Sequence, residues 1–203
     1  MQDLKATFGN MDIYLWDQLL KGRFNGAQRI LDAGCGYGRN LVYFLQQGID
    51  VFGVDANPEA IVATKAMTQH LNPNYPLERF VVGSLENMPF RNKTFDVIVC
   101  NAVLHFAQDE AHFEAMLKGM WAVLEPQGYL LIRLASDIGI ENLVKPLGNR
   151  RFLLPDESVR FLVNQQMLLD YTQQLGGQLF EYIKTTNVQN LRCMTTWCLQ
   201  KTI

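Results

Sequence analysis

Asp32, Gly34, Gly36, Gly38 and Asp55 are the residues whose types and spacing can do chemistry together. The run Arg29-Ile30-Leu31-Asp32-Ala33-Gly34-Cys35-Gly36-Tyr37-Gly38-Arg39-Asn40 ends an apolar stretch in an acid, then alternates glycines with other residues, then turns helical. Glycine at alternate positions lets the backbone take positive φ and lets a ligand lie against the main chain. A helix opening there directs its free N–H groups into the same crevice. Asp32 offers a carboxylate to a ligand cation. Asp55, 17 residues after Gly38, offers one to a pair of ribose hydroxyls. The chemistry is capture of a nucleotide-type ligand at the carboxyl end of a strand in an open α/β sheet. The plain alternative is a strand-to-helix turn that needs glycine for its own geometry. A dinucleotide fingerprint spaces its glycines G-x-G-x-x-G, whereas here the spacing is G-x-G-x-G and position 39 is Arg.

Such a loop needs strands behind it and helices over it. Residues 11–24 place Ile13, Trp16, Leu19 and Leu20 at helical spacing. Residues 40–47 read as a helix closed by Gly48. Residues 50–55, DVFGVD, form a second strand ending in an acid. Asn57-Pro58-Glu59 then starts a helix reaching about His70: Asn caps, Pro fits the first turn and Glu meets the positive end of the dipole. Because Asn57 fills the capping role, Asp55 is left for the ribose. Residues 78–83 read as a third strand and 95–101, FDVIVCN, as a continuous apolar central strand. Residues 109–124 read as a helix with Phe113, Met116, Leu117, Met120 and Leu124 on one face. Residues 125–128 are a turn and 129–134 a fifth strand. Residues 135–155 lack periodicity and carry Lys145, Arg150 and Arg151; together with Arg133 they are candidate groups for an acidic acceptor. A helical stretch is expected from Asp156 to about Leu175. Strands at 179–187 and 191–201 lie so close that they must pair antiparallel.

The bulk composition narrows the class. A chain of 203 residues fits one domain with a buried core. A formal net charge of −2 leaves no electrostatic footprint for nucleic acid. Asp3, Lys5, Asp12 and Asp17 interrupt any signal-peptide core, no run is long and apolar enough for a membrane span, and a cytoplasmic location is expected. Cys35, Cys100, Cys193 and Cys198 show no metal-ligand spacing and read as reduced structural thiols; no metal site is expected.

With its acid and G-x-G-x-G spacing, the first loop resembles motif I of the class I methyltransferases that use S-adenosylmethionine. Ser84-Leu85-Glu86-Asn87-Met88-Pro89-Phe90 is similar to the family's stretch after the third strand, with Ser where Asp is frequent. Residues 124–133, LEPQGYLLIR, resemble its L-x-P-G-G-x-L-L-I segment, with Gln127 in place of the first Gly. The resemblance runs from about Arg29 to Lys201. It implies a Rossmann-like seven-stranded mixed sheet of order 3-2-1-4-5-7-6, the last strand antiparallel, with helices on both faces. It also implies a single domain, with residues 1–28 as an N-terminal helical cap and 135–155 as an acceptor-site loop.

By that resemblance Gly34, Cys35, Gly36 and Gly38 border the methionyl part and Asp32 holds its amino group, directly or through water. Asp55 and Ala56 meet the ribose; Asn57, Ser84 and Leu85 border the adenine; Asn101 and Ala102 line the methyl side. Asn101 is followed by Ala-Val-Leu rather than Pro-Pro and an aromatic, which disfavours the amino-directed nucleic-acid subclass. No acids gather at the strand tip for a catechol-type metal. His105 has the pKa for a general base, although a His in this loop of the family is often structural, and that reading is preferred. Tyr14, on the leading helix that covers the cofactor in many members, is a minor candidate for the acceptor pocket.

The expected reaction is displacement at the sulfonium methyl. The acceptor is expected to be a small molecule, with a protein acceptor open. The alternatives are an NAD(P)-dependent oxidoreductase and a non-catalytic S-adenosylmethionine-binding domain. Asp55→Ala is expected to weaken cofactor binding and leave the fold intact.

Overall fold

The computed structural model describes residues 4–202. Two helices, α1 (Leu4–Phe8) and α2 (Ile13–Leu20), precede strand β1 (Arg29–Ala33). The chain continues through α3 (Val42–Gln46), β2 (Asp50–Asp55), α4 (Pro58–Leu71), β3 (Phe80–Val82), β4 (Phe95–Asn101), α5 (Glu110–Val123) and β5 (Leu124–Ser136). The C-terminal part contains β6 (Lys145–Gly148), β7 (Arg151–Leu153), β8 (Val159–Phe161), α6 (Gln165–Gln174), β9 (Gly177–Leu179), β10 (Lys184–Val188) and β11 (Arg192–Lys201).

The main sheet runs β3-β2-β1-β4-β5-β11-β10. Numbered by the five leading strands and the terminal pair, this is the expected 3-2-1-4-5-7-6 path. β1 to β5 pair parallel, and β11 runs antiparallel to both β5 and β10. The expected sixth strand at 179–187 is in fact two pieces, β9 and β10, which pair with different ends of β11 and raise the strand count to eight.

Alternation along β4 divides the core. Ile98 and Cys100 face Phe113, Met116, Leu117 and Met120 of α5 and Leu168 of α6. Val97 and Val99 face Leu15 of α2, Phe44 of α3 and Ile61 of α4. Being covered on both faces is why β4 reads as an unbroken apolar run. All four cysteines are free and buried. Among the described residues no helix is long and apolar enough to cross a membrane.

Local signals account for most boundaries. Asn57 Oδ1 accepts the Glu59 N–H at 2.9 Å and Pro58 opens α4. Asp109 Oδ1 caps α5 by accepting from His112 N–H at 2.8 Å.

Two expectations are corrected after β5. Residues 135–155, expected to be a loop, contain β6 and most of a three-stranded antiparallel sheet, β6-β7-β8. Asn149 and Arg150, at φ 52° and 56°, make the tight turn between the first two strands, the left-handed pair that a two-residue hairpin requires. The helix expected from Asp156 begins only at Gln165. Asp156 accepts hydrogen bonds from both the N–H and Oγ of Ser158, and Glu157 sits at φ 64°, so the local turn wins and β8 follows.

Candidate active site

The parallel strands end together, and the loops beyond β1, β2, β3 and β4 enclose a cavity of about 580 Å³, within the usual size for a small-molecule site. Nine of the expected residues line it: Gly34, Cys35, Gly36, Asp55, Ala56, Ser84, Leu85, Asn101 and Ala102. Asp32, Gly38 and Asn57 do not.

The three glycines divide by role. Gly36 has φ 52°, and a Cβ there would meet nothing within 4 Å, so its surface is open to a ligand. Gly38 instead faces α4: a Cβ would come within 2.4 Å of Met67 Cε. The third glycine therefore serves helix packing. Thr64 Oγ1 donates to the Gly36 carbonyl at 2.7 Å, which pins the loop to α4. Cys35 contributes through its backbone, because burial pushes its thiol pKa up and keeps it protonated.

Asp55 joins two loops. Its Oδ2 accepts from Gly36 N–H at 2.8 Å and its Oδ1 from Asn57 N–H at 2.9 Å. Each carboxylate oxygen keeps a second lone pair. The side chain also holds the loop that a ligand would touch.

Asp32 is 1% exposed; neither carboxylate oxygen makes a hydrogen bond of normal geometry, although the Asn40 side chain stands near enough to favour its charged form. Burial, with a further push from Asp55 against a pull from Arg39, raises its pKa to about 8. An orphaned buried acid beneath an open glycine loop suits a ligand ammonium, and the carboxylate of Asp55 suits ligand hydroxyls. The residues present fit S-adenosylmethionine.

Ala102 lines the cavity just beyond β4. It sits at φ 61° with its N–H donating to the Arg133 carbonyl at 2.8 Å, a left-handed conformation that strains any residue bearing a Cβ. Ala102→Val adds β-branching there and is expected to cost about 2 kcal/mol of stability, read from urea unfolding. An unchanged midpoint would show that the strain is relieved by local movement.

His105 and Tyr14 do not line the cavity. His105 is 6% exposed, and its Nδ1 accepts from Ala135 N–H at 3.3 Å. Burial first, and Arg160 second, lower its pKa to about 4, so the ring is neutral at physiological pH. The tautomer follows from that bond: Nε2 carries the proton. Tyr14 shares a short hydrogen bond with Thr186 Oγ1, and Arg133 lies 5.2 Å from its ring centre. Arg133 also donates to Asp12 Oδ2 at 3.1 Å, while Asp12 N–H donates to Asn40 Oδ1 at 3.1 Å. The start of α2 is thereby tied to the first loop and to β5.

Sequence reasoning missed Tyr37, Arg39, Asn40, Gly83, Glu86, Val103, Phe106, His112 and Met116 as lining residues. Several are neighbours of motif residues and could have been taken with them. His112 and Met116 come from α5, four positions apart on one helix face, and no local signal marks them. His112 Nε2 lies 3.7 Å from Glu86 Oε1, linking α5 to the loop after β3.

Residues 31–132 match the family described as "methyltransferase domain". An uncharacterized methyltransferase of Synechocystis is 34% identical over 101 residues, which cover 50% of this chain and 44% of that protein. The chain spans about half the length of the curated relatives it matches. Among solved structures, a SAM-dependent methyltransferase from Methanosarcina mazei superposes with a TM-score of 0.73 at 19% identity, covering 91% of this chain and 97% of that one. Magnesium protoporphyrin IX methyltransferase of Synechocystis, solved with bound SAH, gives a TM-score of 0.68 at 16% identity, covering 94% and 81%. At such identities the likeness is one of fold.

Proposed function

The chain belongs to the class I S-adenosylmethionine-dependent methyltransferase family, and from that premise we propose that it transfers a methyl group to a small-molecule acceptor. The observation that carries the reading is the pairing of an orphaned buried acid, Asp32, with an open glycine loop anchored by Asp55.

When bound, S-adenosylmethionine supplies an activated methyl on a sulfonium. The chain's own task is then to hold two reactants in line. Orientation alone can be worth effective molarities of about 10⁵–10⁸ M, so a strong base is not a requirement. Asp32 accepts from the amino group, directly or through water, and Gly34 and Gly36 leave room for the main chain to approach. Asp55 accepts from the ribose hydroxyls while fixing the Gly36 amide. Ser84, Leu85 and Ala56 border the adenosyl part, and Asn101 and Ala102 form the wall on the methyl side. His105, neutral and bonded to the backbone of β5, positions the loop after β4 and takes no proton at pH 7.

The compact cavity and the absence of a basic surplus favour a small molecule over a nucleic acid. Calorimetric titration with S-adenosylmethionine, S-adenosylhomocysteine and NADH tests the cofactor. Binding of the two sulfur ligands without NADH is expected. Binding of NADH alone would overturn the reading. Release of S-adenosylhomocysteine with some acceptor then separates an enzyme from an idle binding domain.

A further inference from the structure

Charge is unevenly spread around the cavity. The carboxylates that line it, Asp55 and Glu86, stand at the end of β2 and on the loop after β3. At the opposite end Arg39 lines the cavity beyond β1, while Arg133 in β5 and Arg160 in β8 stand behind it, Arg160 over the lining residue Phe106. The acids facing Arg39 are Asp12 and the buried Asp32. Asp12 is already committed to Arg133, at 3.1 Å, and stands 4.0 Å from Arg39. Arg39 lines the cavity, its side chain is 47% exposed, and its guanidinium donates only to neutral oxygens of Asn10 and Asn101. Arg160 has no carboxylate partner among the described residues. It donates to the carbonyl of its neighbour Val159 and lies 5.1 Å from the ring centre of Phe106. A guanidinium has five N–H donors, so both arginines keep several unspent.

Phe106 gives that end an apolar floor. It lines the cavity with 61% of its surface exposed, and the Arg160 guanidinium and the His105 ring pack against it. The arrangement depends on the small sheet: β8 carries Arg160 to the turn that holds Phe106.

We propose that the methyl acceptor is a small carboxylic acid with an apolar body, its carboxylate held by Arg39 and Arg160 and its body resting on Phe106. The proposal rests on the methyl-transfer reading of the same cavity and adds the class of acceptor. Arginine suits the role because its planar fork matches a carboxylate and its face stacks on an aromatic ring.

The test is calorimetry on the full chain saturated with S-adenosylhomocysteine, titrated with benzoate and with benzamide, which share a shape and differ in charge. Benzoate is expected to bind at least tenfold more tightly. Arg160→Gln is expected to lower benzoate affinity about tenfold with S-adenosylhomocysteine affinity unchanged, and Arg160→Lys to recover part of the loss. Equal affinity for the two probes, or no benzoate binding, would overturn the proposal on the unaltered protein alone, whatever the variants do. Failure of S-adenosylhomocysteine itself to bind would strike the cofactor reading instead.

Discussion

Asp32→Asn is expected to lower affinity for S-adenosylmethionine by a hundredfold or more and, at the same time, to raise the melting temperature of the ligand-free protein at pH 8.5. The carboxylate is buried with both oxygens unpaired, and its pKa is pushed up to about 8. In the unfolded chain an Asp titrates near 3.9. The folded state therefore holds a proton that the unfolded state has released across the interval between those values, and stability falls as pH rises from about 4 to about 8. Above that range the full cost of a buried unpaired charge is present, on the order of a few kcal/mol. Asparagine removes the charge, so the gain in melting temperature should grow between pH 5 and pH 8.5 and vanish near pH 4. It also removes the partner for the ligand ammonium, whose charge-assisted bond is worth more than a neutral one. Cofactor affinity within threefold of the original would sink the assignment of Asp32. A stability difference that does not change with pH would sink the account of its burial.

Asp55→Ala is expected to reduce both cofactor affinity and stability. Hydrogen bonds to a charged acceptor contribute about 1.5–3 kcal/mol each, so losing one to a ribose hydroxyl should weaken binding roughly 10- to 100-fold, and losing both should weaken it further. The variant also strips the Gly36 and Asn57 amides of their acceptor. Because the side chain is half-buried and water can reach part of the space, about 1–2 kcal/mol of stability is expected to go with them. Asp55→Asn separates the two effects: its amide oxygen can still accept from one backbone N–H, so stability should recover further than affinity. Isothermal titration beside urea unfolding reads both quantities. Equal recovery of the two by Asn would show that Asp55 acts on the ligand only by shaping the loop.

Much of this was legible beforehand because it is local. Asn57, Pro58 and Glu59 specify a helix start within three residues, and the structure shows that start. The unbroken apolar run of β4 follows from covering on both faces, and the short link before β11 permits only antiparallel pairing. The region after β5 was misread for an equally physical reason. Asp156 and Glu157 are good helix-starting types, but Ser158 offered Asp156 a nearer partner, and the turn closed first. Periodicity cannot report a strand three residues long, so β7, β8 and β9 were invisible.

By itself the sequence determined the parallel half of the sheet, the glycine loop and the acid that follows β2, since each depends on residues adjacent in the chain. The tertiary structure alone decided that Gly38 packs against α4 while Gly36 stays open, that Asp55 bonds the first loop, and that Asp32 is left without a partner. It alone brought His112, Met116 and Phe106 to the cavity and set Arg160 over the last of these. Each of those facts depends on groups many residues apart, and their meeting is set by how helices and strands pack, which no stretch of the chain encodes on its own.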